Sequence, residues 1–470
     1  MRSSLARCLL LLAGIFGAAP LIADENTIQL DDVPDYVPAY VLERFGRPPA
    51  IPAGPLSKSL SEAVRIAFVG AVAPIGSVSR SSWGQSNSKA LATLVAARDP
   101  RIAWLISDLL RFTWQRELYD ELADAGARLL GIEFDDETEN RWIEITDHLI
   151  AWDIPAYPDY LNAKRAIYTN AVHGWDALFV DGAMDWRMVS WGGVPIDARP
   201  YGETDLPCSC IPAVDNPEVT SAEDATWLRD DDVVFGIEVN GEYRAYPRRI
   251  MEVREMVNDT LGGRQLGIPY CTLCGAAQAY FTDRMPDGVE RPILRTSGLL
   301  IRSNKVMYDV RTNSIFDTFL GRAVTGPLAD INLKLELTTV ITTDWGNWKA
   351  NYPDTTVLAE ALHLGKDFNL RNTRDADGPV FPVGDVDPRL PVSTDVVGAI
   401  TASGVPVAFP RGAAFLALQA GQEVSFENIK LVLDAGGIKA VDLKGAPLVS
   451  HQAFWFAWSQ FYRRTEVWSG

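Results

Sequence analysis

Two close pairs of cysteines carry the sharpest chemical signal in the chain, Cys208-Ser-Cys210 and Cys271-Thr-Leu-Cys274-Gly275. Two thiolates on a tight turn point at one centre, and a glycine after the second lets backbone amides approach the sulfurs. Together the pairs offer four thiolates, a set suited to zinc, iron or copper(I). Cys-x-Cys reads as a bidentate ligand and a poor disulfide, because near neighbours on one side strain an S–S bond. Sixty residues separate the pairs, so tertiary structure has to unite them. Two other fates are open. The cysteines can form disulfides, for example from one motif to the other, or Cys271 and Cys274 can be a redox dithiol with a lowered thiol pKa. Covalent haem is excluded, because Gly275 stands where that motif needs histidine.

Polar residues around the second pair are candidates for a pocket. Arg254, Glu255, Asn258 and Asp259 precede it on an expected helix and turn; Ser297, Asn304, Tyr308 and Asp309 follow in expected strands. The alternative is ordinary cap and turn chemistry, since Asn-Asp before Gly262-Gly263 composes a turn. His148, His173, His363 and His451 are scattered and far from the cysteines in sequence. There is no His-Glu-x-x-His, Gly-x-Ser-x-Gly, phosphate loop or dinucleotide fingerprint. A nucleotide cofactor and the standard hydrolase, kinase and dehydrogenase classes therefore lack support.

These residues need elements to hold them. Residues 56–170 read as helical: Asp99-Pro100-Arg101 opens a stretch with Ile102, Leu105, Ile106, Leu109, Leu110 and Phe112 on one face. Leu118, Leu122, Ala125 and Leu129 form a second face, ended by Gly131. From about residue 230 the apolar period shifts toward two, and Asn240-Gly241 between apolar-rich runs marks a hairpin. Asp232–Arg248 aligns without a gap on Asp395–Arg411, 163 residues on. Trp345, Trp348, Tyr352, Thr355 and Val357 recur 110 residues later as Trp455, Trp458, Tyr462, Thr465 and Val467. The tryptophan spacing fits a buried helix face better than a ligand platform. The expected fold class is α+β, a helical N-terminal region followed by a β-rich domain made of two unequal tandem repeats, only the first bearing cysteines.

A chain of 470 residues exceeds one compact core. Its 43 Lys and Arg against 61 Asp and Glu, net −18, argue against general nucleic-acid binding. The N-terminus reads as an export signal: Arg2 and Arg7, an apolar run from Cys8 to Ala19, and small residues to Ala23. Cleavage near Ala23 is expected to release a periplasmic or secreted protein into an oxidising compartment; retention as an anchor is the alternative. No later segment is long and apolar enough to span a membrane. Nothing in the sequence identifies a protein partner.

Several motifs occur in a telling order: Ala245-Tyr-Pro-Arg248, Val257-Asn-Asp-Thr-Leu-Gly-Gly263, Tyr270-Cys-Thr-Leu-Cys-Gly275, Thr296-Ser-Gly-Leu299, Ser303-Asn-Lys-Val-Met-Tyr-Asp309, Gly326-Pro-Leu328 and Trp345–Leu358. With Trp191-Gly-Gly-Val194 and Phe454-Trp-Phe-Ala-Trp458, about residues 185–470 resemble the domain of unknown function 3179 family. The resemblance implies no activity and no catalytic residue. Many members carry histidine before the Glu of Glu-x-x-Asn-Asp, where this chain has Arg254, so no metal site here uses that histidine. Cys208 and Cys210 sit where relatives generally lack cysteines. The expected organisation is a signal at 1–23, a helical region at 24–184, the cysteine-bearing domain at 185–361, a linker at 371–391 and a second repeat at 392–470. The expected function is an exported protein of uncharacterised activity that binds a transition metal through Cys271, Cys274, Cys208 and Cys210. The alternatives are a thiol–disulfide redox protein and a structural protein with paired cysteines.

Overall fold

The computed structural model describes residues 38–72, 83–134, 140–204, 206–359 and 378–470, so the expected export signal lies outside the described residues. Within them the N-terminal region is built from α1 (Ala39–Phe45), α2 (Lys58–Phe68), α3 (Gln85–Ala96), α4 (Ala103–Leu110), α5 (Arg116–Leu130), α6 (Arg141–Ala151) and α7 (Tyr160–Ala171). The local rules hold. Asp99 caps a 3-10 turn that has Pro100 at its first position and leads into α4, and Gly131 closes α5 at φ 69°. Every residue of α4 is buried, Ser107 and Asp108 included, because it packs against α5, α6 and α7 at once. Lys164 on α7 satisfies Asp108 at 2.5 Å and donates to the carbonyl of Val189 at 2.6 Å, tying the helices to the first strand of the β-rich region.

That region is five sheets set as blades in a propeller-like arrangement. Blade I orders Val189–Trp191, Leu294–Ile301, Asn304–Asp309, Ile315–Asp317 and Arg322–Ala323. Blade II orders Glu336–Thr338, Ala279–Phe281, Arg264–Cys271, Met256–Leu261 and Val214–Asp215, with Ala276–Ala277 paired to the end of Arg264–Cys271. Blade III orders Ile341–Asp344, Val233–Val239, Glu242–Pro247, Thr356–Leu358 and Val219–Ser221. Blade IV is Ser450–Phe454, Asp395–Ile400, Pro406–Pro410 and Glu466–Val467; blade V is Val424–Phe426, Ile429–Asp434, Gly437–Asp442 and Pro447–Leu448. The Asn240-Gly241 hairpin forms as expected, with φ 52° and 83° at its two turn residues.

Blades III and IV share one plan. Each has an antiparallel trio, then a helix bearing the tryptophans, then a strand returning parallel to the hairpin's second strand. Val234 faces Pro247 in one and Val396 faces Pro410 in the other. The first strands therefore correspond at an offset of 162 and the second at 163, so the gapless alignment slips by one residue in the hairpin turn. The corrected register aligns Gly236 with Gly398. A Cβ on Gly236 would lie 2.1 Å from the Trp348 ring, and one on Gly398 would lie 2.0 Å from Trp458. Both tryptophans are buried, and each indole N–H donates to the threonine seven residues on, Thr355 at 3.0 Å and Thr465 at 2.8 Å. The described residues 378–391 pack against the helical region, where the amides of Val383 and Gly384 both donate to Asp147 on α6, at 2.8 and 2.7 Å.

Candidate functional site: a buried dithiol beneath a seam pocket

Strand Arg264–Cys271 of blade II ends on the first cysteine, where the chain turns. The amide of Cys274 donates to the Cys271 carbonyl at 3.2 Å, and Phe454 of blade IV donates to the Cys274 carbonyl at 2.8 Å. Gly275 sits at φ 59° with the Phe454 ring 3.1 Å from where a Cβ would be, so the turn is fixed by conformation and by packing. Cys271 and Cys274 are buried, and neither is in a disulfide among the described residues. The Cys274 sulfur lies 3.5 Å from the Ser303 carbonyl and 3.4 Å from Asn304 Oδ1, and the Cys271 sulfur 3.8 Å from the Ser303 carbonyl.

Burial pushes the Cys271 thiol up. Polar neighbours oppose it: Cys274, the Lys305 backbone and the Lys305 charge favour the thiolate and outweigh burial and the opposing Glu255 carboxylate. The net result holds Cys271 below the ordinary thiol range. Lys305 is itself pinned: its ammonium pairs with Glu255 Oε2 at 2.8 Å and donates to the Glu255 and Tyr270 carbonyls at 2.5 and 3.0 Å. Thr272 Oγ1 donates to Glu255 Oε1 at 3.1 Å. Glu255 ends the short helix Arg248–Arg254 in the left-handed region at φ 48°, a conformation held only by such surroundings. Cys271, Thr272, Glu255 and Lys305 line a small pocket of about 70 Å³ whose other walls include Gly192, Val194, Ile211 and Phe381.

Of the residues expected around the thiols, Glu255 alone lines this pocket. Arg254 is buried beside it in sequence. Asn258 and Asp259 lie on strand Met256–Leu261 and not in a turn; the turn is Gly262-Gly263, where the strand folds back at Leu261 and Arg264. Asn258 bonds Asp215 and the Leu294 backbone, and Asp259 pairs with Arg244 and Tyr246. Ser297 donates to the Val306 carbonyl at 2.5 Å and Tyr308 to that of Asp197 at 2.7 Å. These four hold strands together. Lys305 and Thr272 went unexpected, although both stand inside quoted motifs; a lysine among strand residues carries no signal of its own.

The two cysteine pairs do not converge on one cluster. Cys208 and Cys210 are joined to each other as a disulfide, contrary to the expectation for Cys-x-Cys; their Cα atoms are 5.2 Å apart, within reach of an ordinary bridge. Their sulfurs and an Asp197 oxygen all lie within 4.8 Å of one another, a group compatible with a metal ion, and among the described residues no such group includes Cys271 or Cys274. Both Asp197 oxygens accept from Arg199, each at 2.7 Å, so a cation there would compete with a guanidinium.

The model of the DUF3179 family, a protein of unknown function, matches residues 208–447. Comparison with curated proteins and with solved structures gives no match.

Proposed function

The chain belongs to the DUF3179 family, and from its dithiol geometry we propose that it is a thiol–disulfide redox protein in which Cys271 is the nucleophile and Cys274 the resolving thiol. One observation carries this: Cys271 and Cys274, neither of them in a disulfide, stand on one turn beside a pocket that Cys271 lines, and Cys274 and Lys305 hold Cys271 toward thiolate. The Cys271 thiolate attacks one sulfur of an incoming disulfide and expels the other as a thiolate. Cys274, giving up its proton, then displaces the mixed disulfide. The products are a Cys271–Cys274 disulfide and a substrate dithiol, so two electrons pass from protein to substrate. Residues 1–23 are proposed to direct export, which places this couple in an oxidising compartment. The shared plan of blades III and IV supports duplication of one blade unit.

A second reading keeps a metal. The grouping of Asp197, Cys208 and Cys210 favours it, with zinc, iron or copper held once the disulfide is opened. One experiment separates the readings: protein isolated from its native compartment is analysed for metal and titrated with a disulfide, with Cys271→Ser and Cys274→Ser alongside. Redox function predicts substoichiometric metal, a Cys271–Cys274 bridge in wild type, and a trapped mixed disulfide at Cys271 in Cys274→Ser. One equivalent of metal and thiols inert to the disulfide overturn it.

A further inference from the structure

We infer that Phe381 is a specificity-determining residue of the dithiol: it narrows the approach to Cys271 so that a compact, uncharged disulfide or thiol reaches the sulfur and a peptide-sized one does not. This deepens the redox reading and rests on it. Cys271 and Phe381 line the same small pocket, and Phe381 also packs on the apolar cluster that holds Cys271 and Cys274. An opening to solvent has to be bordered by residues that keep some exposure. Among the pocket walls those are Gly192, Val194, Ile211, Thr272 and Phe381, whereas Cys271, Glu255 and Lys305 are buried. Phe381 is the largest side chain of the five, so its ring sets the width there.

The ring is held from outside the blades. Trp142 of α6 meets it edge-on, with centroids 6.1 Å apart, and the Arg111 guanidinium lies over it at 5.0 Å. Its own segment is anchored just beyond it. Asp147 accepts from the amides of Val383 and Gly384, Gln460 Nε2 donates to the Val383 carbonyl at 2.6 Å, and a Cβ on Gly384 would lie 2.3 Å from Ile150. A wall held in this way yields to a larger ligand only at a cost in packing. The space of about 70 Å³ holds about five waters, far less than either half of a peptide disulfide. Charge points the same way. The Lys305 ammonium has three N–H groups, and they meet Glu255 Oε2 and the Glu255 and Tyr270 carbonyls, so the polar floor is already paired. A charged ligand would lose its water there and find no counter-ion. The substrate class is therefore a small, uncharged organic disulfide or thiol.

The test uses the full chain carrying Cys274→Ser, in which a label stays on Cys271, and methanethiosulfonates that share one leaving group. The Cys271 thiolate attacks the sulfenyl sulfur, the bond from that sulfur to the sulfonyl sulfur breaks, methanesulfinate leaves and a Cys271–S–S–R disulfide forms. R is methyl, benzyl or the anionic sulfonatoethyl group. Labelling is read from the mass of the Cys271 peptide, and each rate is divided by that of a free thiol in solution. With Phe381 in place, methyl is expected to be preferred over both others by about tenfold or more, and Phe381→Ala to bring benzyl within about threefold of methyl while sulfonatoethyl stays slow. Phe381→Leu is expected to fall between, and it decides if Phe381→Ala does not fold. Equal rates for methyl and benzyl with Phe381 in place, a methyl preference that Phe381→Ala leaves unchanged, or sulfonatoethyl as fast as methyl overturns the inference and leaves the redox reading standing. No label at Cys271 from any of the three ends the redox reading, and this inference with it.

Discussion

At Cys271 the neighbours pull in opposite directions, and their signs can be tested one at a time. Burial and the Glu255 carboxylate raise the thiol's pKa, while Cys274, the Lys305 amide and the Lys305 charge lower it. Glu255→Gln removes one raising influence, so alkylation of Cys271 by iodoacetamide shifts to lower pH. Lys305→Met removes a lowering one and shifts the profile to higher pH. Movement of the two profiles in the same direction would mean that the charges are not what tunes this sulfur. Asn304 adds a structural hint. Its Nδ2 is buried without a hydrogen-bond partner among the described residues while its Oδ1 faces the Cys274 sulfur. Turning the amide over would aim an N–H at that sulfur once it is ionised.

Each of blades III and IV depends on one contact between elements. A tryptophan from the helix that follows the outer strand lies flat on a glycine of the central strand, with its N–H satisfied by a threonine. Gly236→Ala and Gly398→Ala would each drive a methyl into that ring, an overpacking that costs about 1–3 kcal/mol or more. Both variants are expected to show lowered denaturant midpoints. Gly404→Ala, at a turn with open space around it, is expected to pay only for its φ of 89°. Equal midpoints for Gly398→Ala and wild type would show that the register drawn from these contacts is wrong.

Across the whole molecule, blades I, II and IV meet at His451. Its ring lies against Phe319 and Trp458, with Gln278 Nε2 3.5 Å from its Nε2, an arrangement that assigns the proton to Nδ1 facing the Gln452 carbonyl at 3.1 Å. Burial lowers its pKa to about 4 from 6.5. A folded-state pKa below the unfolded value means the unfolded chain takes up the proton first as pH falls. The stability His451 confers is whole above pH 6.5 and is lost on descent to about pH 4, on the order of 3 kcal/mol for the full shift. His451→Gln is expected to be less stable at pH 7.5 and to lose less between pH 6.5 and 4. A parallel pH dependence of the two melting curves would exclude the histidine as the cause.

Local chemistry determined a good deal by itself. Helix caps at Asp99 and Gly131, the Asn240-Gly241 turn, the buried tryptophan faces and the Cys-x-x-Cys-Gly turn all follow from interactions within a few residues, and the motif order was enough to indicate the family. Four outcomes depended on chain segments that meet only after folding. The Cys208–Cys210 bridge kept its two sulfurs apart from the dithiol, five sheets came together as blades, Lys305 came to neutralise Glu255 beside Cys271, and Phe454 of blade IV came to pack on the Cys271–Gly275 turn. Spacing in sequence sets what a turn or helix face can present. Which faces then touch is decided by long-range packing and by which buried charges find a partner, and neither leaves a local pattern to read.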